Sequence, residues 1–392
     1  MNLNLTPVEV NIDIESLSLE RDAFYNVCFI AEHDTAERHI TVNVLKDLLD
    51  AGYTRDSLAY NFCVGVFSQE GIQTVTVRAK RSDETYQQAF DAEDNNSYYF
   101  IVIDSKDKDV INTFANHIAS EPYKLLFYST PTNPLVNTKT VHYYQRVGFG
   151  EGMKEFLNLL EKLVNVDLPS AIGSEAGIVG FAALDAKSTS SGISVIDTKV
   201  ALDDLYINSA YKLGYEVIDL DKATTSQLQM ARLAYPEAAW ISLCGNKFPS
   251  SVQWLYKYLA KTDIVFDKDI PPLSNTSSIV INDKSVVGSG KTNQNLPIHE
   301  QVSIDWVKWA ISQRVWKTLY TQSKIIATEG GIDLIVNEIK YILDIAVEQG
   351  IFTQYKIGET KLDRNTNNLQ VKFTANLTHT ILEVEVNGSL KY

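Results

Sequence analysis

The segment Gly288-Ser-Gly-Lys-Thr292 comes nearest in this chain to a phosphate-binding motif. A P-loop reads GxxxxGK[ST] and opens a helix, whose N-terminal amides then bind phosphate. The position of the first glycine in that motif is occupied by Ser285, and Asn293 to Pro297 is a poor start for a helix. The sequence therefore favours a flexible surface loop, with a P-loop-like nucleotide-binding enzyme as the alternative.

Two further clusters hold residue types that bind cofactors or metals. Gly148-Phe-Gly-Glu-Gly152 is followed by Met153, not by the third glycine of a dinucleotide-binding GxGxxG, and a tight turn is favoured. Four potential metal ligands match no helical HExxH spacing, which favours a polar loop: His33, Asp34, Glu37 and His39. There is no GxSxG serine, and no cysteine has a matching histidine. The sequence thus predicts no catalytic residue, metal or cofactor, and no enzyme.

Composition sets further bounds. A length of 392 residues suits about two or three domains. The formal net charge of −14 argues against binding nucleic acid or an anionic membrane surface. No apolar run approaches the roughly 18 residues of a membrane span, and Met1–Asn11 does not resemble a signal peptide. The three cysteines form no CxxC pair and are expected to be reduced core thiols: Cys28, Cys63 and Cys244.

An isolated strand is predicted near the N-terminus. Four apolar residues alternate with Glu9, Asn11 and Asp13 in the period-2 pattern of a strand with one buried face: Val8, Val10, Ile12 and Ile14. No turn signal returns this segment to a hairpin partner. Its backbone groups must therefore pair with a distant strand or with another chain.

The elements that follow indicate an α/β layer with a mainly parallel sheet. Strands and helices alternate from about residue 24 to residue 128. Residues 132–200 break this rhythm and are interpreted as an insertion. The alternation resumes and includes a strand predicted at Ala239–Leu243. Residues 267–300, rich in proline, glycine and asparagine, are predicted to be a linker or long loop.

Two helices and two strands are predicted at the C-terminal end. The first helix spans about Ile304–Tyr320, and the second begins near Asp333 and stops at Gly350. The strands lie at about Leu369–Ala375 and His379–Val386. Between 304 and 326 the only acidic residue is Asp305, against four basic ones that could face an acidic partner: Lys308, Arg314, Lys317 and Lys324.

Several stretches of the chain resemble contractile phage tail sheath proteins. Ala234-Tyr-Pro-Glu-Ala-Ala-Trp-Ile-Ser242, continued by Phe248-Pro-Ser-Ser-Val-Gln-Trp254 and Lys257, is similar to the "yp-aaW-g … pgs-tW-yK" segment of that family. Other stretches resemble its C-terminal domain and its ends: Asp305-Trp306, Gly331-Ile332, the Val336–Gly350 helix, Phe373–Leu377, Glu383–Gly388, Val8–Ile14 and Phe67-Ser-Gln69. The chain departs from the family at Ile326–Ile332 and Leu377–Ile381.

The resemblance implies a structural role in the virion tail. Sheath subunits assemble in the host cytoplasm as stacked hexameric rings around a tail tube, between baseplate and tail terminator proteins. The assembly contracts to drive the tube through a cell envelope. Terminal strands of one subunit extend a sheet in its neighbours, which would explain the isolated strands. The subunit-linking residues would then be Val8, Val10, Ile12, Ile14, Ile381, Val384 and Val386, and the tube-facing candidates the four basic residues above.

The predicted fold class is α/β, or α+β overall, in three parts. Residues 1–20 form an N-terminal linking arm, and residues 21–275 an outer α/β domain. Residues 276–392 form an inner domain of helices and sheet that includes the C-terminal linking strand. Besides the P-loop-like enzyme, a baseplate or other virion assembly protein remains an alternative.

Overall fold

The computed structural model describes residues 23–54, 57–92, 97–130, 138–144, 235–259, 279–281 and 284–380. The chain forms two compact units. The sheet unit holds the described residues up to 248 and those of 254–298, and the ribbon unit holds 249–253 and the described residues from 299 onward. The division into 1–20, 21–275 and 276–392 stays a prediction. Helices and mixed sheets together make the fold α+β, as the sequence predicted.

The sheet unit is built on a six-stranded sheet in the order β2-β3-β1-β4-β5-β6. Strands β1, β3, β4, β5 and β6 are parallel to one another, and the edge strand β2 is antiparallel to β3. The strands are β1 (Val27–Glu32), β2 (His39–Val42), β3 (Val75–Lys80), β4 (Phe100–Ile103), β5 (Leu125–Thr130) and β6 (Thr140–Tyr144). The first four helices are α1 (Leu45–Asp50), α2 (Leu58–Phe67), α3 (Tyr86–Asp91) and α4 (Lys108–Ala119).

Local sequence explains these elements well. Strands β3, β4 and β5 are buried along their whole length, as expected for parallel strands covered on both faces. Helices α2, α3 and α4 begin at Ser57, Thr85 and Asp107, whose side chains accept backbone N–H groups of the first turn. The prediction that the three cysteines lie in the core is confirmed, since all three are buried. Burial raises the pKa of the Cys244 thiol to about 12.

The strand predicted at Ala239–Leu243 is wrong, because this segment lies within helix α5 (Pro236–Gly245). Pro236 occupies the first turn, where its missing N–H costs nothing. The helix is buried on nearly all sides, so its apolar residues lack the one-sided period that marks a surface helix. It packs against Gly71 so closely that a Cβ there would lie 1.8 Å from the carbonyl oxygen of Ser242.

The predicted linker at 267–300 contains regular structure where it is described. A short antiparallel hairpin joins β7 (Ile279–Ile281) to β8 (Lys284–Val286). Helix α6 (Ile298–Thr321) begins before the linker was expected to end, and it extends the predicted helix by two turns.

The ribbon unit contains most of α6, helix α7 (Glu329–Glu348), and strands β9 (Phe352–Asp363) and β10 (Asn368–Leu377). Helix α7 starts after Thr328 and not near Asp333. Gly331 lies in its first turn, where a Cβ would come within 1.9 Å of the Ile326 carbonyl oxygen. Gly350, with φ of +73°, follows the helix as predicted. Among the described residues, no helix combines the length and the apolar character required to span a membrane.

Candidate assembly surface

The most distinctive surface of the ribbon unit is the two-stranded antiparallel sheet of β9 and β10, called the ribbon below. Its strands have 12 and 10 residues, long for an isolated pair. Asn367, with φ of +56°, supplies the left-handed residue of the connecting turn. The Asp363 side chain accepts the N–H of Asn365 in this turn, which lowers the pKa of its carboxyl group.

The two faces of the ribbon differ in chemistry. One face is mainly apolar, and its residues keep part of their surface exposed: Tyr355, Ile357, Leu362, Leu369, Val371, Phe373, Ala375 and Leu377. Several of them pair across the strands, for example Leu369 with Leu362 and Phe373 with Ile357. The other face is polar and exposed, and it carries Gln354, Lys356, Glu359, Lys361, Asp363, Gln370, Lys372, Thr374 and Asn376.

Both strands of the ribbon have an outer edge beside which no further strand lies among the described residues. Such edges present backbone N–H and C=O groups that can pair with another strand. The register shifts between Val371 and Phe373, opposite Gly358, and again between Asn376 and Leu377. Irregularities of this kind twist a ribbon and limit unspecific edge pairing. The ribbon is therefore suited to accept a strand, but one of defined length and register.

The predicted linking strands cannot be placed against the ribbon. Their residues lie outside the described part of the chain: Val8, Val10, Ile12, Ile14, Ile381, Val384 and Val386. The described chain ends just after β10, where the backbone N–H of Thr378 donates to Ile351 O at 2.9 Å. Thr380 Oγ1 lies 3.0 Å from His299 Nε2, and His379 Nδ1 lies 3.3 Å from Glu300 Oε1. The start of the C-terminal segment is thus held against the first turn of α6.

The four tube-facing candidates do not form one face. Lys308 and Lys317 are nine residues apart on α6, about two and a half turns, so they project from opposite sides. Arg314 donates to Glu338 of α7, and its guanidinium lies 4.5 Å from the centre of the Tyr341 ring. Lys324 follows the end of α6 and is exposed. Their role toward a tube stays a prediction.

The glycine- and lysine-containing segment is not the flexible surface loop that the sequence favoured. Ser289 and Thr292 are buried, and a Cβ on Gly290 would lie 2.8 Å from the backbone nitrogen of Leu255. Asn293 donates its amide N–H to the Tyr128 hydroxyl at 2.8 Å, which ties the segment to the sheet. The next helix begins only at Ile298, so the backbone lacks the helix start that a P-loop needs.

The other two motifs give no binding site that can be described. Gly148–Gly152 lies outside the described residues. His33 Nδ1 accepts the backbone N–H of Ala36 at 3.0 Å and faces that of Thr35 at 3.3 Å, so it shapes the local turn. Across the described ranges, no group of three or more His, Cys, Asp or Glu residues is placed to hold a metal ion.

A buried polar cluster lies at the carboxyl ends of β4 and β5, and no local sequence pattern indicates it. The Lys106 ammonium contacts the Ser129 hydroxyl, lies 3.6 Å from Glu237 Oε1, and lies 4.3 Å from the centre of the Tyr235 ring. Burial lowers the pKa of Lys106 to about 8, against the opposing effect of Glu237. Lys106, Ser129 and Glu237 are all buried, so a substrate could not reach them in this conformation.

His142 on β6 should make the sheet unit sensitive to acid. Its Nε2 donates to the Thr130 carbonyl oxygen at 3.0 Å, and burial, the largest cause, lowers its pKa to about 4. Lys106 lowers it further, and Thr130 opposes the shift. The neutral imidazole is thus favoured in the folded state. The contribution of His142 to the stability of the folded state is therefore fully present above the unfolded pKa near 6.5. It is lost as the pH falls toward the folded pKa of about 4.

We expect the free energy of unfolding to fall by about 2–3 kcal/mol between pH 7 and pH 4.5 through this group alone. His142→Gln keeps an N–H donor but does not titrate, and it should remove that part of the pH dependence. Urea denaturation of both proteins at the two pH values measures the difference. An equal loss of stability in the two proteins would contradict the assignment.

Similar proteins are found by comparing structures and not by comparing sequences. No protein-family model matches the chain, and no curated protein matches it. The chain is similar to one in the anti-feeding prophage baseplate, at 10% identity and a TM-score of 0.49, covering 99% of both chains. It is similar to the contracted anti-feeding prophage helical sheath, at 9% identity and a TM-score of 0.48, covering 98% of this chain and 99% of that one.

A third solved structure is the contracted sheath complex of an extracellular contractile injection system, PVC. The identity is 11% and the TM-score 0.48, and the similarity covers 100% of this chain and 99% of that one. The three structures are thus one baseplate and two contracted sheaths.

Proposed function

We propose that this chain is the structural subunit of a contractile tail sheath. It would polymerise as stacked hexameric rings around a tail tube, assembled in a host cytoplasm and bounded by baseplate and terminator proteins. Contraction would then drive the tube through a target cell envelope. The observation that carries this proposal is the ribbon, with its partly exposed apolar face and its long edges, beside which the described part of the chain places no further strand.

The terminal segments of neighbouring copies are the proposed occupants of the ribbon edges. Apolar residues occupy every second position of Val8–Ile14 and, after Ile381, of Leu382–Val386. The strands of the ribbon show the same two-residue alternation. A seven-residue strand spans about 24 Å, and the 12 residues of β9 span about 40 Å, so the ribbon can accept either segment. Main-chain hydrogen bonds would supply affinity and the alternating side chains the register.

The start of the C-terminal segment supports this arrangement. Contacts of Thr378, His379 and Thr380 with the rest of the ribbon unit fix the point from which the segment leaves. A fixed departure point lowers the entropy lost when the segment binds a neighbour. Strand links of this kind could persist while compact units move as rigid bodies during contraction.

The proposal is tested by removing residues 1–14 and imaging the purified proteins by negative-stain electron microscopy. The unaltered chain should form helical tubes by itself, and the truncated chain should remain a folded protomer with an unchanged circular dichroism spectrum. Tubes of normal length from the truncated chain would contradict strand exchange. Failure of the unaltered chain to form tubes under any condition would instead favour a baseplate role.

A further inference from the structure

The polar face of the ribbon carries an excess of positive charge. Lys356, Lys361 and Lys372 are exposed there, with Glu359 and, at the end of β9, Asp363 as acidic residues. Lys372 lies 3.9 Å from Glu359 in a largely exposed pair, while Lys356 forms no ion pair within the described residues. The pKa of the Asp363 carboxyl group, which is lowered mainly by hydrogen bonds in the turn, is lowered further by Lys361. Lysines thus outnumber carboxylates on this face, although the chain as a whole has a net charge of −14.

Both terminal segments have the opposite charge on their polar positions. Glu9 and Asp13 alternate with the valines and isoleucines of the N-terminal segment. Glu383 and Glu385 alternate with Val384 and Val386 of the C-terminal segment. Neither segment contains a lysine or an arginine between its first and last apolar residue.

Strand geometry joins these two observations. When an added strand turns its apolar residues toward the apolar face of a sheet, its polar residues must lie on the opposite face, because side chains alternate. The acidic residues would then lie on the lysine face. Opposite charges on neighbouring strands stabilise pairing, and like charges destabilise it.

We propose that Lys356, Lys361 and Lys372 form a charge-selective docking face for the acidic terminal strands of other copies of this chain. The inference rests on the proposed strand exchange and adds the residues that determine which strands are accepted. It also predicts which side of the added strand lies on the lysine face. A strand inserted in the opposite orientation would place its carboxylates on the face of Phe373 and leave the lysines without these partners.

Charge reversal in two steps tests the inference. One variant carries Lys356→Glu, Lys361→Glu and Lys372→Glu, and a second carries Glu9→Lys, Asp13→Lys, Glu383→Lys and Glu385→Lys. A third variant combines all seven changes. Each of the first two should raise the critical concentration for polymerisation at least about tenfold at low salt, and the third should return it to near the unaltered value.

Salt provides an independent measurement. Exposed charge pairs are screened at high ionic strength, so the difference between the unaltered chain and the reversed variants should shrink as salt increases. Normal polymerisation of either single-face variant would overturn the inference, and so would failure of the combined variant to recover. If the chain forms tubes and charge reversal does not change its critical concentration, the charge-selective docking face is wrong, whereas the proposed strand exchange is not contradicted.

Discussion

Replacing Lys106 with methionine is expected to lower the free energy of unfolding by about 3–5 kcal/mol. The substitution leaves the carboxylate of Glu237 in the interior without its countercharge. That carboxylate is fully buried, has Lys106 as its ion-pair partner at 3.6 Å, and has no hydrogen-bond partner in the part of the chain that the structure describes. A charge isolated in this way costs far more than a lost surface contact.

The double substitution Lys106→Met with Glu237→Leu should recover most of the loss. Two apolar side chains of similar volume replace an ion pair whose desolvation offsets much of its attraction. The matched control is Lys46→Met, which makes the same chemical change in the exposed Lys46–Asp50 pair of α1 and should have no measurable effect. Urea denaturation, followed by the fluorescence of buried Trp240 and Trp254, measures all four proteins. Equal stability of Lys106→Met and the control would refute the argument.

The alternating part of the fold was predictable because its signals are local. Strands such as β1 and β4 are apolar runs, and helices α2, α3 and α4 begin at Ser, Thr and Asp caps. Helix α5 was not predictable in this way, because a helix buried on nearly all sides shows no amphipathic period. Pro236 was the available signal, since a proline suits the first turn of a helix.

The ribbon was only half predicted. Strand β10 alternates apolar and polar residues and was expected, whereas β9 contains Gly358 and a shifted register that interrupt its period. The Lys106–Glu237 pair joins residues 131 positions apart in sequence, so no local pattern could reveal it. The start of α7 was misplaced because Asp333 is a plausible N-cap residue, whereas the helix begins at Glu329, after Thr328.

Introducing a lysine at Val371 should abolish polymerisation while leaving the protomer folded. Val371 lies on the apolar face of β10 and is already partly exposed, so a charge there costs the isolated protomer little. In the proposed assembly an added strand would lie beside the ribbon and place its own apolar residues on this same face. The ammonium group would then lie among apolar side chains such as Phe373 and those of the added strand, and an inward-pointing charge is one of the features that block edge pairing.

The neighbouring residue provides a matched control. Gln370→Lys introduces the same side chain one position earlier, on the opposite face, where lysines are already present. This variant should form tubes like the unaltered chain. The new charge stays in solvent, where salt screens its repulsion with Lys361 on the opposite strand, and it lies near the acidic positions of an added strand. Sedimentation and negative-stain imaging of the two variants, with thermal unfolding to confirm folded protomers, measure the contrast. If Val371→Lys polymerises as readily as Gln370→Lys, neighbouring copies do not add a strand whose apolar residues extend the apolar face of the ribbon, because only such a strand distinguishes the two substitutions.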